Sequence, residues 1–319
     1  MNDLIFVALS TFAAEDRRPL ELLESSGFPF RIHETGKRIT REELVRDGKD
    51  AKVIIAGVEP YDSLTLGQLP SLRCISRCGV GVDAIDLPEA RRHGIAVTNT
   101  PGIPTEAVAE LALSMILALS RDLLRQTNLM RARKWERITG HLLEGRSVGI
   151  VGLGSIGKRV AQLCQAFNAH IFVYDPLVSN STAQSLGVTL VDMKELLHEA
   201  DIVSLHASKN SEQPLKLGPI EFASMKRGAI VINLARGEMI DDLALVDALK
   251  SGHIAGAGLD VFSEEPYTGP LCDFEQVILT PHSATLTVET RASMELQCVE
   301  NAIRFLEGKL TIADEKRVI

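Results

Sequence analysis

The sequence predicts an α/β fold of two doubly wound parallel-sheet domains. Short apolar runs alternate with amphipathic helical patterns from end to end, and the runs are continuously apolar rather than alternating in character. The 319 residues suffice for about two cores at roughly 150 residues each. A strand that is apolar at every position must be covered on both faces, and helices returning between parallel strands supply that cover.

In the first third the strands fall at 4–9, 53–56 and 72–77, with helices near 19–25 and 41–45 between them. Pro101, Gly102 and Pro104 then interrupt the pattern and place a boundary near 99–105, ahead of a largely apolar helix over 105–121. From Ser147 onward the alternation is more regular. The segments 148–151, 171–174, 202–206, 230–233, 258–261 and 277–280 are rich in β-formers and bounded by Gly, Pro, Asp or Asn. The last helical pattern, 288–307, has no strand of its own to cover and is expected to return to the first unit. The expected domains are therefore 1–99 with 289–319, and 100–288.

Composition narrows the function classes. Lys and Arg number 34 against 42 Asp and Glu, a formal charge of −8, which argues against a duplex nucleic-acid or anionic-membrane surface because both need a basic face. The apolar stretch 111–119 is interrupted by Ser114 and is far short of the roughly 20 residues a spanning helix needs, so no membrane partner is expected. The run at 4–9 is approached by Asp3 rather than by basic residues, and no export signal is expected. Five cysteines at 74, 78, 164, 272 and 298 form no Cys-x-x-Cys pair, which fits packing thiols in a reducing compartment, the cytoplasm by default. No Cys/His cluster has metal-ligand spacing, so no metal is expected.

Gly152-Leu153-Gly154-Ser155-Ile156-Gly157 follows the strand at 148–151 directly and opens a helix with Val160, Ala161, Leu163, Cys164 and Phe167 on one face. The first glycine makes the tight turn, the second lets a pyrophosphate approach the backbone, and the third lets helix and strand pack closely. A glycine-rich turn without a ligand is the plain alternative. Asp175 weighs against it: it ends the next strand, 18 residues beyond Gly157, where a carboxylate can accept both ribose hydroxyls of NAD and repel the 2′-phosphate of NADP. The expected cofactor is NAD, in a Rossmann domain.

Three further polar residues sit just beyond later strands of the same sheet, where open α/β sheets bind ligands. They are Arg236 in Asn233-Leu234-Ala235-Arg236-Gly237, Glu265 in Asp260-Val261-Phe262-Ser263-Glu264-Glu265-Pro266, and His282 in Thr280-Pro281-His282. Each alone reads more readily as a helix-entry arginine, an exposed loop glutamate or a histidine capping a strand end. Together and in this order they resemble the D-isomer-specific 2-hydroxyacid dehydrogenases, a family that includes 3-phosphoglycerate, glycerate and D-lactate dehydrogenases. The resemblance extends through Arg77-Cys78-Gly79-Val80-Gly81-Val82-Asp83, Val97-Thr98-Asn99-Thr100-Pro101-Gly102, Glu106-Ala107-Val108-Ala109-Glu110 and Trp135-Glu136-Arg137.

The resemblance implies an NAD-dependent oxidoreductase that interconverts a 2-hydroxy acid and its 2-keto acid, with a flavodoxin-like substrate domain beside the Rossmann domain. It makes His282 the acid–base that exchanges a proton with the 2-oxygen. Glu265 would pair with that imidazole, and Arg236 would bind the 2-oxygen and carboxylate through its planar fork. The amides of Val80 and Gly81 would form a nest for the substrate carboxylate, and Asp260 would face the nicotinamide carboxamide. His206 and Ala235, with Gly152, Gly154, Ser155, Ile156, Gly157, Asp175 and His282, complete the implied cofactor contacts. A homodimer through the 105–121 helix and the Trp135 segment is likewise implied.

The chain departs from the family's pattern at three places. Ser208 and Gln213 replace a usual proline and threonine after Leu205-His206, and the loop after the 53–56 strand reads Gly57-Val58-Glu59-Pro60 where phosphoglycerate enzymes often carry an arginine. The sequence ends soon after the 288–307 helix, with no counterpart of the regulatory domain of longer relatives. The favoured expectation is a 3-phosphoglycerate dehydrogenase-like enzyme. Arg77 and Arg137 are then candidate cations for the second anion of the substrate, against a plain reading in which Arg77 pairs with Asp83 or Glu59. A glyoxylate, hydroxypyruvate or other small 2-keto acid reductase is the alternative. The rivals are formate dehydrogenase, which carries glutamine at the Glu265 place, and a dinucleotide-sensing, corepressor-like binding protein.

Overall fold

Five short strands, β1 (Ile5–Val7), β2 (Phe30–Ile32), β3 (Val53–Ala56), β4 (Cys74–Arg77) and β5 (Ala96–Thr98), form a wholly parallel sheet in the order β2-β1-β3-β4-β5. This is the doubly wound order of flavodoxin-like sheets. The computed structural model describes residues 3–33, 36–208, 215–310 and 318–319. It separates into two compact units, Met1–Pro104 with Leu286–Ile319, and Thr105–Thr285. The first contains the five-stranded sheet. One face is packed by Leu44, Tyr61, Leu66, Leu72 and Ile95, and the other by Leu23 together with Met294, Cys298, Val299 and Ala302 of the long helix Val288–Leu306. That helix does return to the first unit, because its apolar face has the outer face of β3 and β4 to bury against.

The second unit carries seven parallel strands: β6 (Ser147–Val151), β7 (His170–Tyr174), β8 (Thr189–Leu190), β9 (Ile202–Leu205), β10 (Ala229–Asn233), β11 (Ile254–Leu259) and β12 (Val277–Leu279). Their order is β12-β11-β10-β9-β6-β7-β8. Counted within the unit this is the 3-2-1-4-5-6 arrangement with one strand added, and the strand order reverses between β6 and β9. The loops that leave these two strands therefore diverge, opening a crevice at their carboxyl ends. Ile202, Val203 and Leu205, with Ile150 and Val151, are at most 1% exposed, as continuous apolar strands require.

Some elements differ from those the sequence predicts. The strand expected at 258–261 runs instead over Ile254–Leu259, so Asp260 and Val261 lie in the loop after it. Gly256 and Gly258 read as breakers, yet they are places of close approach. A Cβ on Gly256 would stand 2.7 Å from the Gln276 carbonyl oxygen, and one on Gly258 would stand 2.9 Å from Met115 Sδ on the apolar helix Thr105–Ser120. The first strand is confined to Ile5–Val7 rather than 4–9. The short strands β2, β5 and β8 carry too few apolar residues to register as runs. Of the five cysteines, all free, Cys272 is exposed, and the other four are the buried packing thiols expected. Gln213 lies outside the described residues, while Ser208 is exposed beyond β9.

Candidate active site

The loop after β6 fits a dinucleotide on steric grounds. Gly152 adopts φ 92°, and a Cβ there would lie 2.6 Å from the Ala207 amide nitrogen on the neighbouring loop after β9. A Cβ on Gly157 would overlap the carbonyl oxygen of Gly152, so only glycine lets the helix Ser155–Ala166 come this close to its strand. Gly154 has open space around its Cβ position, and as the residue before that helix it supplies no side-chain cap. The first-turn amides beside exposed Gly154 and Ser155 are thus left for an anion.

Asp175, just past β7, is tied into this loop. Its Oδ2 accepts the Leu153 N–H at 2.8 Å and its Oδ1 the Leu177 N–H at 2.9 Å, which fixes the carboxylate at the strand end beside the glycine turn. Across the crevice, His206 Nε2 lies 2.7 Å from Ser204 Oγ, while its buried Nδ1 has no partner. Burial pushes its pKa down to about 4, so the ring is neutral near pH 7. Gly152, Gly154, Ser155, Ile156, Gly157, Asp175 and His206 thus lie on the loops and the helix start that follow β6, β7 and β9, an arrangement whose chemistry suits a dinucleotide. When bound there, NAD supplies the hydride acceptor.

The polar residues expected to act on substrate lie on the loops after β10, β11 and β12. Asn233 ends β10 fully buried, its Oδ1 accepting the Ala235 N–H at 3.0 Å and its Nδ2 donating to the Arg236 carbonyl at 2.8 Å. This clamp sets the turn from which half-buried Arg236 projects, with its Nη1 donating to the Ala235 carbonyl at 2.7 Å. Gly237 follows because any Cβ there would overlap the Phe262 backbone, so the Arg236 turn lies directly on the loop carrying Glu265. In that loop Phe262 and Tyr267 stack with ring centroids 4.4 Å apart, and Phe262 N–H donates to Glu265 Oε1 at 3.2 Å.

His282 and Glu265 are brought together, with Nδ1 3.0 Å from Oε2 and 3.2 Å from Oε1. An ionised carboxylate in that place selects the tautomer with the proton on Nδ1, which leaves Nε2 as the unprotonated ring nitrogen of the neutral imidazole. The backbone of His282 is left-handed, at φ 51°. Asp260 holds it there: its carbonyl accepts the His282 N–H at 2.9 Å. Its 1% exposed carboxylate accepts from Thr280 Oγ1 at 2.5 Å, Ser283 N–H at 2.8 Å and Ala284 N–H at 3.0 Å. Both Asp260 oxygens thus accept from the histidine turn, Oδ1 from Thr280 and Ser283 and Oδ2 from Ala284. Sequence reasoning did not single out Asn233, Thr280 or Ser283 for these supporting roles. A lone asparagine ending the buried strand 229–233 was the one available signal.

Within the first unit, the turn after β4 is held through its carbonyls. Thr100 N–H donates to the Gly79 carbonyl at 3.1 Å, Thr100 Oγ1 accepts the Gly79 N–H at 3.0 Å, and Asn99 Nδ2 donates to the Val80 carbonyl at 2.8 Å. Among the described residues no acceptor takes the Val80 and Gly81 amides. Gly79 is at φ 138°, and the half-buried Arg77 guanidinium folds over it, 2.5 Å from where a Cβ would stand. Glu59 is not its partner. Buried at 2% exposure, Glu59 accepts the Gly57 N–H and the Tyr61 hydroxyl, each at 2.8 Å. Arg137 is exposed in the second unit.

This combination of a glycine-loop crevice and a carboxylate-paired histidine defines a dinucleotide-dependent oxidoreductase, and comparison with known proteins narrows the class. Residues 113–284 match the D-isomer specific 2-hydroxyacid dehydrogenase, NAD binding domain family. The chain is 37% identical over 280 residues to the glyoxylate reductase of Korarchaeum cryptofilum, covering 85% of this chain and 84% of that protein. It is 36% identical over 275 residues to the D-3-phosphoglycerate dehydrogenase of Archaeoglobus fulgidus, covering 85% of this chain but 52% of that protein, so it spans about half the length of that relative. Among solved structures, it resembles D-lactate dehydrogenase from Aquifex aeolicus complexed with NAD and lactic acid. The TM-score is 0.85 at 27% identity, with 99% of this chain and 98% of that one covered. It also resembles a glyoxylate reductase from Paecilomyes thermophila, with TM-score 0.86 at 30% identity and the same coverage, 99% and 98%. The chain belongs to the D-isomer specific 2-hydroxyacid dehydrogenase family. It is an NAD-dependent oxidoreductase acting on the CH–OH group of its donors.

Proposed function

We propose that the preferred substrate is a 2-hydroxy acid bearing a second anionic group, of the 3-phosphoglycerate type, and that Arg77 receives that group. The observation that carries this reading is the Arg77 guanidinium, half-buried against Gly79 and paired with no carboxylate among the described residues, beside the free amides of Val80 and Gly81. A cation so placed meets a second anion with a charge-assisted bond. In the same reading, the Val80 and Gly81 amides hold the substrate carboxylate. Arg236 polarises the 2-oxygen, and His282 Nε2 takes its proton in oxidation and returns it in reduction while Glu265 holds Nδ1.

One observation favours the small-acid alternative, glyoxylate or hydroxypyruvate. The loop after β3 presents the buried Glu59 rather than an arginine, so any second anion meets one cation fewer. The test is NADH oxidation with a panel of 2-keto acids. A kcat/KM for 3-phosphohydroxypyruvate above that for glyoxylate by about 1–3 kcal/mol, lost in Arg77→Ala, supports the phosphate reading. Equal values overturn it in favour of the small-acid alternative.

The same proposal extends to assembly and location. Leu123 (48%), Met130 (54%), Trp135 (78%) and Leu142 (67%) are exposed near one another in sequence, a surface suited to a second copy of the chain. A homodimer is read from this, checked by mass in solution with Trp135→Asp as the monomer-forming variant. Among the described residues no helix is long and apolar enough to cross a membrane. Five free thiols accord with a cytoplasmic setting.

A further inference from the structure

The helix Val288–Leu306 packs Met294, Cys298, Val299 and Ala302 onto the sheet of the first unit, yet the same side of it carries Arg291, Glu295 and Asn301. Glu295 is 3% exposed and Asn301 0%. Packing alone favours apolar side chains at such places, because an ionised or amide group taken out of water costs stability unless it is paired. All three are engaged by segments that leave the carboxyl end of the sheet.

Glu295 Oε2 accepts the Ala13 N–H at 2.9 Å in the loop after β1, where Ala13 has a left-handed φ of 56°. An alanine avoids that region unless its surroundings hold it there. Glu295 Oε1 accepts from Arg291 Nη2 at 2.6 Å, the same nitrogen reaches Thr11 Oγ1 at 3.4 Å, and Arg291 Nη1 lies 3.9 Å from the Cys78 sulfur. The ion pair therefore touches both the loop after β1 and the residue that precedes Gly79. Ser76 Oγ donates to the Cys298 carbonyl at 2.9 Å, which fixes the end of β4 on the helix. One turn further along, Asn301 Nδ2 donates to the Asn99 carbonyl at 3.3 Å, and Asn99 Nδ2 donates to the Val80 carbonyl at 2.8 Å. The Gly79–Gly81 turn is thus tied to one helix at two points, through Cys78 and through Asn99.

We propose that Arg291, Glu295 and Asn301 are positioning residues for the 2-keto acid, setting the Gly79–Gly81 turn and the loop after β1 in the places that substrate binding needs. The strand order of this sheet reverses between β1 and β3, and ligands of such sheets bind at the carboxyl ends beside the reversal, where the loop of Thr11 and Ala13 begins. The consequence for substrate rests on the proposed role of the Val80 and Gly81 amides. Positioning is separable from stability here. Removing one member of a buried ion pair strands the other charge, whereas replacing both with apolar side chains of similar size leaves stability near that of the parent. Only the placement of the two loops is then lost.

The experiment compares the full chain with the double variant Arg291→Met/Glu295→Met and with Asn301→Leu. Thermal midpoint, NADH dissociation constant, steady-state kinetics with a 2-keto acid, and hydrogen–deuterium exchange of peptides spanning 8–16 and 77–83 are measured on each. The double variant should keep its midpoint within about 3 °C of the parent and exchange faster in both peptides. Its KM should rise roughly tenfold, with kcat and NADH affinity changed by less than about twofold. Asn301→Leu should speed exchange at 77–83 and leave 8–16 unchanged. Parent-like exchange at 77–83 in either variant overturns the proposal, and Asn301→Leu carries that test even where the double variant does not fold. Faster exchange with an unchanged KM overturns the control of substrate and, with it, the assignment of the Val80 and Gly81 amides. Because exchange is read without substrate, the two failures are distinct.

Discussion

The His282 backbone N–H is shared between the Asp260 carbonyl at 2.9 Å and the Thr280 carbonyl at 3.0 Å, so a histidine in the left-handed region is held by the residue just past β11 as well as by its own short loop. The Asp260 carboxylate completes the hold through Thr280, Ser283 and Ala284. Asp260→Asn keeps the shape but replaces one acceptor oxygen with an NH2 that faces donors. The expected outcome is a fold weakened by about 1–3 kcal/mol in denaturant titration, with kcat falling as His282 loses its fixed aim. An unchanged kcat in a folded Asp260→Asn variant would show that the imidazole is positioned without it.

The glycine loop separates folding from binding. Gly154 has no atom within 4 Å of its Cβ position and an ordinary φ of −68°, whereas a Cβ on Gly157 would overlap the Gly152 carbonyl. Gly154→Ala should therefore keep the thermal midpoint while weakening NADH binding by roughly tenfold or more, and Gly157→Ala should lower the midpoint itself. Calorimetry and NADH fluorescence titration on the two variants distinguish these effects.

Asp175, fixed by the Leu153 and Leu177 amides, should favour NADH over NADPH. A 2′-phosphate brought against that carboxylate meets like charge in a partly desolvated crevice. Replacing it with Ala should relax the preference, read as the ratio of kcat/KM for the two cofactors. Equal ratios in the parent protein would remove Asp175 from the ribose.

His206 gives the cofactor-free protein an acid-sensitive step. Its folded pKa is about 4, below the ordinary imidazole value of 6.5, because burial disfavours the charged ring. The unfolded chain therefore binds a proton that the folded chain refuses between about pH 6.5 and 4, and stability falls as pH is lowered through that window. Above pH 6.5 this contribution is flat. Denaturant midpoints measured from pH 7.5 to 4.5 should drop less steeply in His206→Gln than in the parent.

Much of the fold is legible because covered parallel strands are continuously apolar. The segments around Val53–Ala56 and Ile202–Leu205 could be read directly. Legibility failed where glycine meant proximity rather than a break, as at Gly256 and Gly258 in β11, and at the short edge strands β2 and β8, which have too little apolar surface to stand out. The cofactor crevice could be read because its glycines and Asp175 have fixed spacing along one βαβ unit. The His282–Glu265 pair was visible only through resemblance, since 17 residues separate its members and nothing local demands their contact. The support from Asn233 and Asp260 was not visible at all. Their partners are mostly backbone amides and carbonyls, which every residue possesses.

The most direct test of the account is the kcat of His282→Ala with NADH and a 2-keto acid, measured beside the NADH dissociation constant. With the imidazole Nε2 gone and the glycine crevice intact, kcat should fall by about 10²–10⁴-fold while NADH affinity is preserved. A kcat near that of the parent protein would contradict the assignment of His282 as the residue that moves the proton.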